Sequence, residues 1–534
     1  MSNQRLKNPL VWIPLVIAVA FVAGMWTGSS LFPRRTQWNG QEKLATILKL
    51  VESQYVDTVD VDSILEKSIP DILAHLDPHS VYIPASELQT VNDELGGSFS
   101  GIGVSFSILN DTVTVLEVIP GGPSEKVGLQ AGDRIVSVDD SIAAGRGWNN
   151  EKVMTTLRGA KGTKVKLGIQ RSSTPGKTFE YTVTRGDIPV TSVDASYMLD
   201  GTTGYIKVNK FGTQTYSEFL QALVALKTEG AERYVIDLRG NGGGLMQTAI
   251  LMANEFLPRQ RLIVSTKGRN HVNDETTLSD GTGSFQDAGV TVLIDEFSAS
   301  ASEIFAGAIQ DNDRGTVIGR RSFGKGLVQN QTTLPDSSAV RLTVARYYTP
   351  SGRCIQKTYR PGALEAYNNE ILDRYAHGEA YSADSVKIDR SLVFKTAGGR
   401  TVYGGGGIMP DIFVPNDTAD ITSWYLSVAN AGLLQRFAFD YTDRHRAELS
   451  GKDTLGKLLA ALPADDLLLQ EFVNYAADNK VPARWYYINI SRNLIVRQLK
   501  AFIVRDLLSA SEFYRVWNTG DPVIERALRE FETH

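Results

Sequence analysis

The rhythm of apolar and polar positions changes several times along this chain, and each change predicts a different kind of element. Residues 8–33 (NPLVWIPLVIAVAFVAGMWTGSSLFP) carry no charge, a run long enough for a bilayer-spanning helix, which needs about 20 apolar residues. From 37 to 95 apolar residues recur at helical spacing, in EKLATILKLVESQYV and again in DSILEKSIPDILAHL. LDPHSVYIP then breaks the pattern with its prolines. At Gly96 the texture turns to short β-branched runs punctuated by glycine, which continue to FEYTVTR and Arg185 and predict a compact β-rich module.

Between 186 and about 350, strand and helix signals alternate. GYIKVNKF reads as a strand and TYSEFLQALVALKTEG as a helix. RYVIDLRG reads as a buried strand, followed by the glycine loop GNGGG and the helical LMQTAILMANEFL. VTVLIDEFS, GTVIGR and AVRLTVARYYTP are further strands, and ASEIFAGAIQD is a helix. Such alternation predicts an α/β layered domain. Residues 360–400 are polar and weakly patterned, which reads as an insertion, before GGGGIMPDIFVP (404–415) returns to the core pattern. Amphipathic stretches such as SRNLIVRQLKAFIVRDLL predict a helical tail. The expected organisation is multi-domain α/β: a membrane anchor or signal (1–36), a helical region (37–95), a β-rich domain (96–185), an α/β core (186–420) and a helical C-terminal extension (421–534).

Composition narrows the function classes. The 534 residues are 42% hydrophobic and 22% charged, an ordinary globular balance, and the net charge of −5 argues against nucleic acid as a partner. A single cysteine, Cys354, excludes an intrachain disulfide and a Cys-rich zinc site. Among the six histidines only His75 and His79 are close, and Pro78 between them spoils a metal-binding helix face, so neither metal nor other cofactor is expected. In the N-terminal run, Ala18-Val19-Ala20 offers a signal-peptide cleavage site. The apolar run continues past Ala20, which favours an uncleaved anchor. Its flanks, Arg5 and Lys7 against Arg34 and Arg35, do not set its orientation.

Four short stretches carry candidate chemistry. The loop in YVIDLRGNGGGL (234–245) can present backbone amides to an anion, or can be a plain strand-to-helix turn. In GRRSFGKGLVQ (319–329), Gly319, Gly324 and Lys325 match a phosphate-binding loop up to its last place, where Gly326 replaces the Ser or Thr that magnesium needs. The next residues, LVQNQTTLPDSSAVRL, read as strand and turn, so a nucleotide site is the weaker reading. The alternative is a desolvated lysine between glycines, able to act as a general base. In SASASE (298–303), Ser300 fits the first place of a capping box with Glu303, and a serine there also lies beside free amides that can serve an oxyanion. In SGIGVSF (100–106), a short loop before a strand can capture a peptide's terminal carboxylate, or can be an ordinary turn.

Taken in order, LDPHSVY, GIGVSF with VIPGGPSEKVGLQAGDRIVSVD and LRGAKGTKV, IDLRGNGGGL, SASASEIFAGAIQD, GRRSFGKGLVQ, YYTPSGRCIQ and GGGGIMPDI resemble the carboxyl-terminal processing (tail-specific) proteases of the S41 serine peptidase family. The resemblance spans residues 40 to about 420. It implies a PDZ-like domain and a crotonase-like ββα peptidase core, with Ser300 as nucleophile, Lys325 as general base and Gln329 orienting the lysine. It places the amides of Ala301 and Gly243 in the oxyanion hole and the substrate's C-terminus on Gly101, Ile102, Gly103 and Val104. Asp311 would stand close to the site in a structural role. The implied partners are proteins with apolar C-termini and, through the N-terminal helix, the inner membrane, with the catalytic body in the periplasm or another extracytoplasmic space. Self-assembly through the helical tail is left open. Gly242 and Cys354 depart from the family pattern, which often has proline and a polar residue there. The alternative function is a catalytically silent scaffold that binds C-termini.

Overall fold

The computed structural model describes residues 12–31, 39–171, 174 and 176–533. They form two compact units that divide between Ile72 and Leu73. The first holds helices α1 (Ile13–Leu31), α2 (Gly40–Gln54) and most of α3 (Val61–Ala74). A reciprocal capping pair starts α2: the Asn39 side chain accepts from the Glu42 amide, and the Glu42 carboxylate accepts from the Asn39 amide.

The membrane span expected over 8–33 needs correction. Residues 8–11 and 32–33 lie outside the described residues, among which no helix is long and apolar enough to cross a membrane. The 19 residues of α1 reach ~28 Å at 1.5 Å per residue, and its last turns run Thr27-Gly28-Ser29-Ser30.

The second unit opens with β1 (Val81–Ile83) and α4 (Ala85–Gly96). The β-rich module follows as β2 (Ser98–Gly101), β3 (Val104–Leu109), β4 (Thr112–Val118), α5 (Pro123–Lys126), β5 (Arg134–Val138), β6 (Ser141–Ile142), α6 (Asn150–Leu157), β7 (Lys164–Gln170), β8 (Thr178–Thr184) and β9 (Gly186–Pro189). Its antiparallel sheet runs β3-β4-β5-β7-β8, with β6 on β5 and β2 paired separately to β9. Alternate residues Val113 and Val115, and Val165, Leu167 and Ile169, turn inward to meet Val153 and Leu157 of α6. Strand β3 is an edge, so one side of its backbone is open for strand addition.

The α/β core comprises β10 (Val193–Met198), β11 (Thr203–Val208), α7 (Thr215–Thr228), β12 (Arg233–Asp237), α8 (Met246–Asn254), β13 (Leu262–Gly268), β14 (Glu275–Leu278), β15 (Gly289–Ile294), α9 (Ala301–Asp311), β16 (Thr316–Gly319), β17 (Leu327–Thr333) and β18 (Ala339–Tyr348). The segment 360–400 contains α10 (Leu364–Ala376) and the hairpin β19 (Val393–Lys395) and β20 (Thr401–Tyr403), and β21 (Ile412–Phe413) returns to the core. One sheet runs β10-β11-β12-β15-β16-β21, parallel except for β10. A second, antiparallel sheet runs β1-β18-β13-β14, with β17 also on β18. Helices α7, α8 and α9 lie between the sheets, where Phe219, Phe256 and Phe305 pack edge to face. Every residue of β11 is buried, Lys207 included, whose charge pairs with Asp237 of β12.

The C-terminal region is helical as expected: α11 (Ser423–Asn430), α12 (Leu433–Leu449), α13 (Leu455–Ala461), α14 (Asp465–Asp478), α15 (Trp485–Ile490), α16 (Arg492–Leu507), α17 (Ala510–Trp517) and α18 (Pro522–Thr533). Helices α11 to α17 share a core around Phe437, Phe472 and Leu499. In α18, Val523, Ile524 and Ala527 instead cover the free face of the parallel sheet, against Tyr205, Val235, Leu293 and Ile318. The end of the chain is thus a layer of the α/β domain.

Candidate active site

The three alternating serines separate by environment. Ser298 is buried, its hydroxyl donating to the Leu238 carbonyl at 2.8 Å and accepting from the Asp295 amide at 3.0 Å. Ser302 is buried too and donates to the Asn241 carbonyl at 2.8 Å. Both hydroxyls are spent on holding the turn. Ser300 stands at the N-cap of α9 with φ +57° and ψ −113°, a backbone conformation that non-glycine residues rarely adopt. The amide of Ala301, first in the helix, donates to no group among the described residues.

Asn241 stitches the glycine loop to this turn. Its carbonyl accepts from the Ala299 amide at 3.0 Å, and its side chain donates to the Val208 carbonyl and accepts from the Gly243 amide at 2.8 Å. Gly243 has φ +100°, and a Cβ there would lie 2.7 Å from Ser300 Cβ and 2.9 Å from the Ala301 nitrogen, so only glycine fits. The loop does approach the serine. Its Gly243 amide, however, is already engaged by Asn241, and to serve an oxyanion it must exchange that acceptor.

Lys325 arrives on the connection from β16 to β17. A Cβ on Gly326 would stand 2.9 Å from the Gln356 amide nitrogen, so the loop lies tight against another backbone, as its glycines predict. Burial holds Lys325 below the ordinary lysine value, helped by Arg341 and opposed by Glu303 and Asp77. Strand β17, not a helix, comes after the lysine, which removes the helix N-terminus a phosphate loop needs.

One residue joins the two loops. The carboxylate of Glu303 is fully buried and accepts from the Ser300 amide at 2.8 Å, the Lys325 amide at 2.8 Å, the Gly324 amide at 2.7 Å and the Ser322 hydroxyl at 2.5 Å. Burial raises its pKa, and the four hydrogen bonds oppose that. The Tyr347 hydroxyl adds a second tie, 3.1 Å from the Ser300 carbonyl and 2.6 Å from that of Lys325. The sequence shows Glu303 only as a capping-box partner; its hold on Lys325, 22 residues on, depends on the tertiary fold.

Gln329, on β17, donates from Nε2 to the Thr343 hydroxyl at 3.4 Å. Asp311 forms a fully buried ion pair with Arg353 at 2.8 Å and accepts from Ser351, fastening the turn after β18. The segment expected to be an insertion also reaches the site. Arg374 of α10 donates to the carbonyls of Ser322 and Phe323 at 2.8 and 2.9 Å, just before Lys325. The weak apolar periodicity of 360–400 gives no hint of this contact.

Gly101 to Val104 line one end of a groove of about 360 Å³ between β3 and α6, with Phe99, Phe106, Met154 and Leu157 supplying apolar walls and Arg158 at the rim. The Ile102 and Gly103 carbonyls are taken by the Ser124 and Ile119 amides, which fixes the loop. A larger cavity, of about 580 Å³, lies behind the glycine loop. Among its charged groups Asp237 pairs with Lys207 and Arg239, and Arg239 with Asp521. Among the described residues no cluster of three His, Cys, Asp or Glu could hold a metal.

Known proteins match the chain along the same divisions. The Peptidase family S41 model matches residues 202–362, a PDZ domain model matches 100–191, and a family of unknown function (DUF8443) matches 424–509. The chain is 36% identical over 352 residues to the carboxy-terminal-processing protease of Bartonella bacilliformis, covering 63% of this chain and 80% of that one. It is 32% identical over 365 residues to the carboxy-terminal processing protease CtpA of Bacillus subtilis, covering 67% and 76%. A solved structure, the photosystem II D1 C-terminal processing protease, shares 29% identity over 61% of this chain and 92% of its own, with a TM-score of 0.33.

Proposed function

From the premise that this chain belongs to the S41 family of carboxy-terminal processing serine peptidases and carries a PDZ domain, we propose that it cleaves proteins with a Ser300–Lys325 pair after its PDZ groove has taken hold of their C-termini. The observation that carries this reading is the Glu303 clasp: one buried carboxylate binds the amides of both the serine and the lysine. Two loops tied by a single residue cannot drift apart without leaving a buried carboxylate unsatisfied.

The neutral amine of Lys325 takes the Ser300 proton as Oγ attacks the scissile carbonyl carbon. The tetrahedral oxyanion is met by the Ala301 amide and, after it leaves Asn241, by the Gly243 amide, each contributing about 3 kcal/mol. Collapse expels the amine, which takes the proton back from Lys325 and leaves an acyl ester on Ser300. Water, deprotonated by the same lysine, then releases the new C-terminus. Depression of the Lys325 pKa by burial keeps more of it neutral at a given pH than an exposed lysine would be.

In the PDZ groove the substrate adds to the open edge of β3, its carboxylate at the Gly101–Val104 loop and its last side chain among Met154, Leu157 and Phe106. Apolar C-termini fit such walls. We place the work outside the cytoplasm because residues 13–25 of α1 are apolar and exposed and are preceded by Arg5 and Lys7, the make-up of an export segment. Cell fractionation with an epitope on the C-terminus checks this; recovery in the cytoplasm would exclude it.

The central test incubates an unstructured protein ending in apolar residues with the wild-type chain, Ser300→Ala and Lys325→Ala. Wild type is expected to cleave, and each variant to lose on the order of 10⁴-fold or more in kcat. Binding of the substrate with no cleavage by the wild-type chain would instead mark a silent scaffold.

A further inference from the structure

The motif LDPHSVY supplies neither nucleophile nor base, yet its aspartate lies within electrostatic reach of Lys325. Asp77 is 5% exposed. Its Oδ1 accepts from the His79 and Ser80 amides at 2.8 and 3.0 Å, and its Oδ2 from the Ser80 hydroxyl at 2.5 Å. That much is a local turn closing on itself. Further bonds leave the turn: the Thr343 amide donates to Ser80 Oγ at 3.1 Å, and the Thr343 hydroxyl donates to Asp77 Oδ1 at 3.0 Å. Pairing of β1 with β18, Val81 opposite Arg341, sets that register. Thr343 is in turn the cross-strand partner of Gln329, whose Nε2 meets its hydroxyl at 3.4 Å.

This chain has a direction. An ionised carboxylate can only accept, so the single hydroxyl proton of Thr343 points to Asp77. The hydroxyl therefore offers only lone pairs to Gln329, which must present its NH₂. The carbonyl Oε1 of Gln329 is then the end left for other partners. We propose that Asp77 is a positioning residue for the general base: through Thr343 it sets the sense of the Gln329 amide, so that an acceptor and not a donor faces Lys325. The proposal rests on Lys325 being that base and on Gln329 orienting it, the role the family resemblance implies. A neutral amine has two N–H groups and one lone pair, and an acceptor at its side binds an N–H and leaves the lone pair for the Ser300 proton. An NH₂ in the same place would compete for the lone pair.

The charge of Asp77 acts on the lysine as well. Lys325 is faced by Glu303 from α9, Arg341 from β18, and Asp77 and His79 from the turn. Glu303 and Asp77 raise its pKa and Arg341 lowers it. His79 adds no charge at neutral pH, since burial and Lys325 hold it at about 4. Losing the Asp77 charge thus moves the lysine pKa down and the acid limb of activity to lower pH.

The test measures kcat and KM against pH for the full chain on an unstructured protein substrate. Thr343→Val is expected to lower kcat by roughly 10- to 100-fold with KM nearly unchanged, and Thr343→Ser, which keeps the hydroxyl, to recover most of that loss. Asp77→Asn, whose amide can donate and so reverse the chain, is expected to lower kcat and also to shift the acid limb downward. If Thr343→Val and Asp77→Asn keep wild-type kcat and pH profile while Lys325→Ala is dead, the positioning role is wrong and the base stands. A loss in Thr343→Val that Thr343→Ser does not recover also overturns it. Should Lys325→Ala retain activity, the base assignment itself fails, and this proposal with it. Asp77→Asn can loosen its own turn, so the Thr343 pair decides if that variant does not fold.

Discussion

At the scale of single residues, the site depends on where the backbone is allowed to go. Ser300 occupies a strained conformation that persists because its neighbours are over-determined: Ser298 and Ser302 are pinned by hydrogen bonds, and Glu303 binds the Ser300 amide. Gly243 touches the same turn from the other side. Gly243→Ala would set a methyl group 2.6 Å from the Ala299 carbonyl oxygen, on a backbone with φ +100°. It should lower kcat by about 100-fold or more while leaving binding of C-terminal peptides intact. Stopped-assay kinetics beside a peptide-binding isotherm would check this; unchanged kcat would show that the glycine loop stands clear of the nucleophile. Ser300 is legible in the sequence as a cap, and it stands at the N-cap position of α9. The reach of Glu303 and Asp77 is not legible there, because hydrogen-bond partners brought together by folding leave no periodic trace.

Elements are legible where each buries a face in a fixed period. The strands at 203–208, 233–237 and 289–294 and the helices at 215–228 and 301–311 all lie where the alternation predicts them. The pair β13 and β14 escapes such a reading, since β13 is only partly buried, β14 has no buried residue, and the polar positions mask the pattern. The role of α10 is hidden for a related reason: its contribution is Arg374 on two carbonyls, a polar contact that leaves no apolar stripe on the helix. In α18 the apolar face is visible and its target is not. Ile524 is 4% exposed against the parallel sheet, so Ile524→Ala should destabilise the core by about 2–4 kcal/mol. Denaturant unfolding measures this, and a loss under ~0.5 kcal/mol would mean that α18 merely rests on the sheet.

Across the whole second unit, the helical C-terminal region touches both other parts. It covers the parallel sheet through α18, and it meets the PDZ domain where Arg134 of β5 lies 3.3 Å from Asp443 of α12. That pair is partly exposed and contributes no more than about 1 kcal/mol, enough to bias a position but not to fix one. Arg134→Glu places like charges together. It should raise amide exchange in β5 and in α12 with little change in global unfolding. Exchange indistinguishable from wild type at both places would show that the contact holds nothing.

The sequence by itself determined the order of the elements, the β-rich module with its glycine loop, the α/β core, the helical end, and the identity of Ser300 and Lys325 as candidates, because each of these is written in local spacing or in short motifs. Tertiary structure alone decided three further matters. It showed no helix long and apolar enough to cross a membrane among the described residues. It made the end of the chain a layer of the core, since the sheet needs both faces covered and only packing shows which helix covers the second. And it brought Glu303 onto the Lys325 amide, Arg374 onto the carbonyls just before it, and Asp77 onto Thr343 and so to Gln329, because buried polar groups take whatever partners the fold brings within 3 to 3.5 Å.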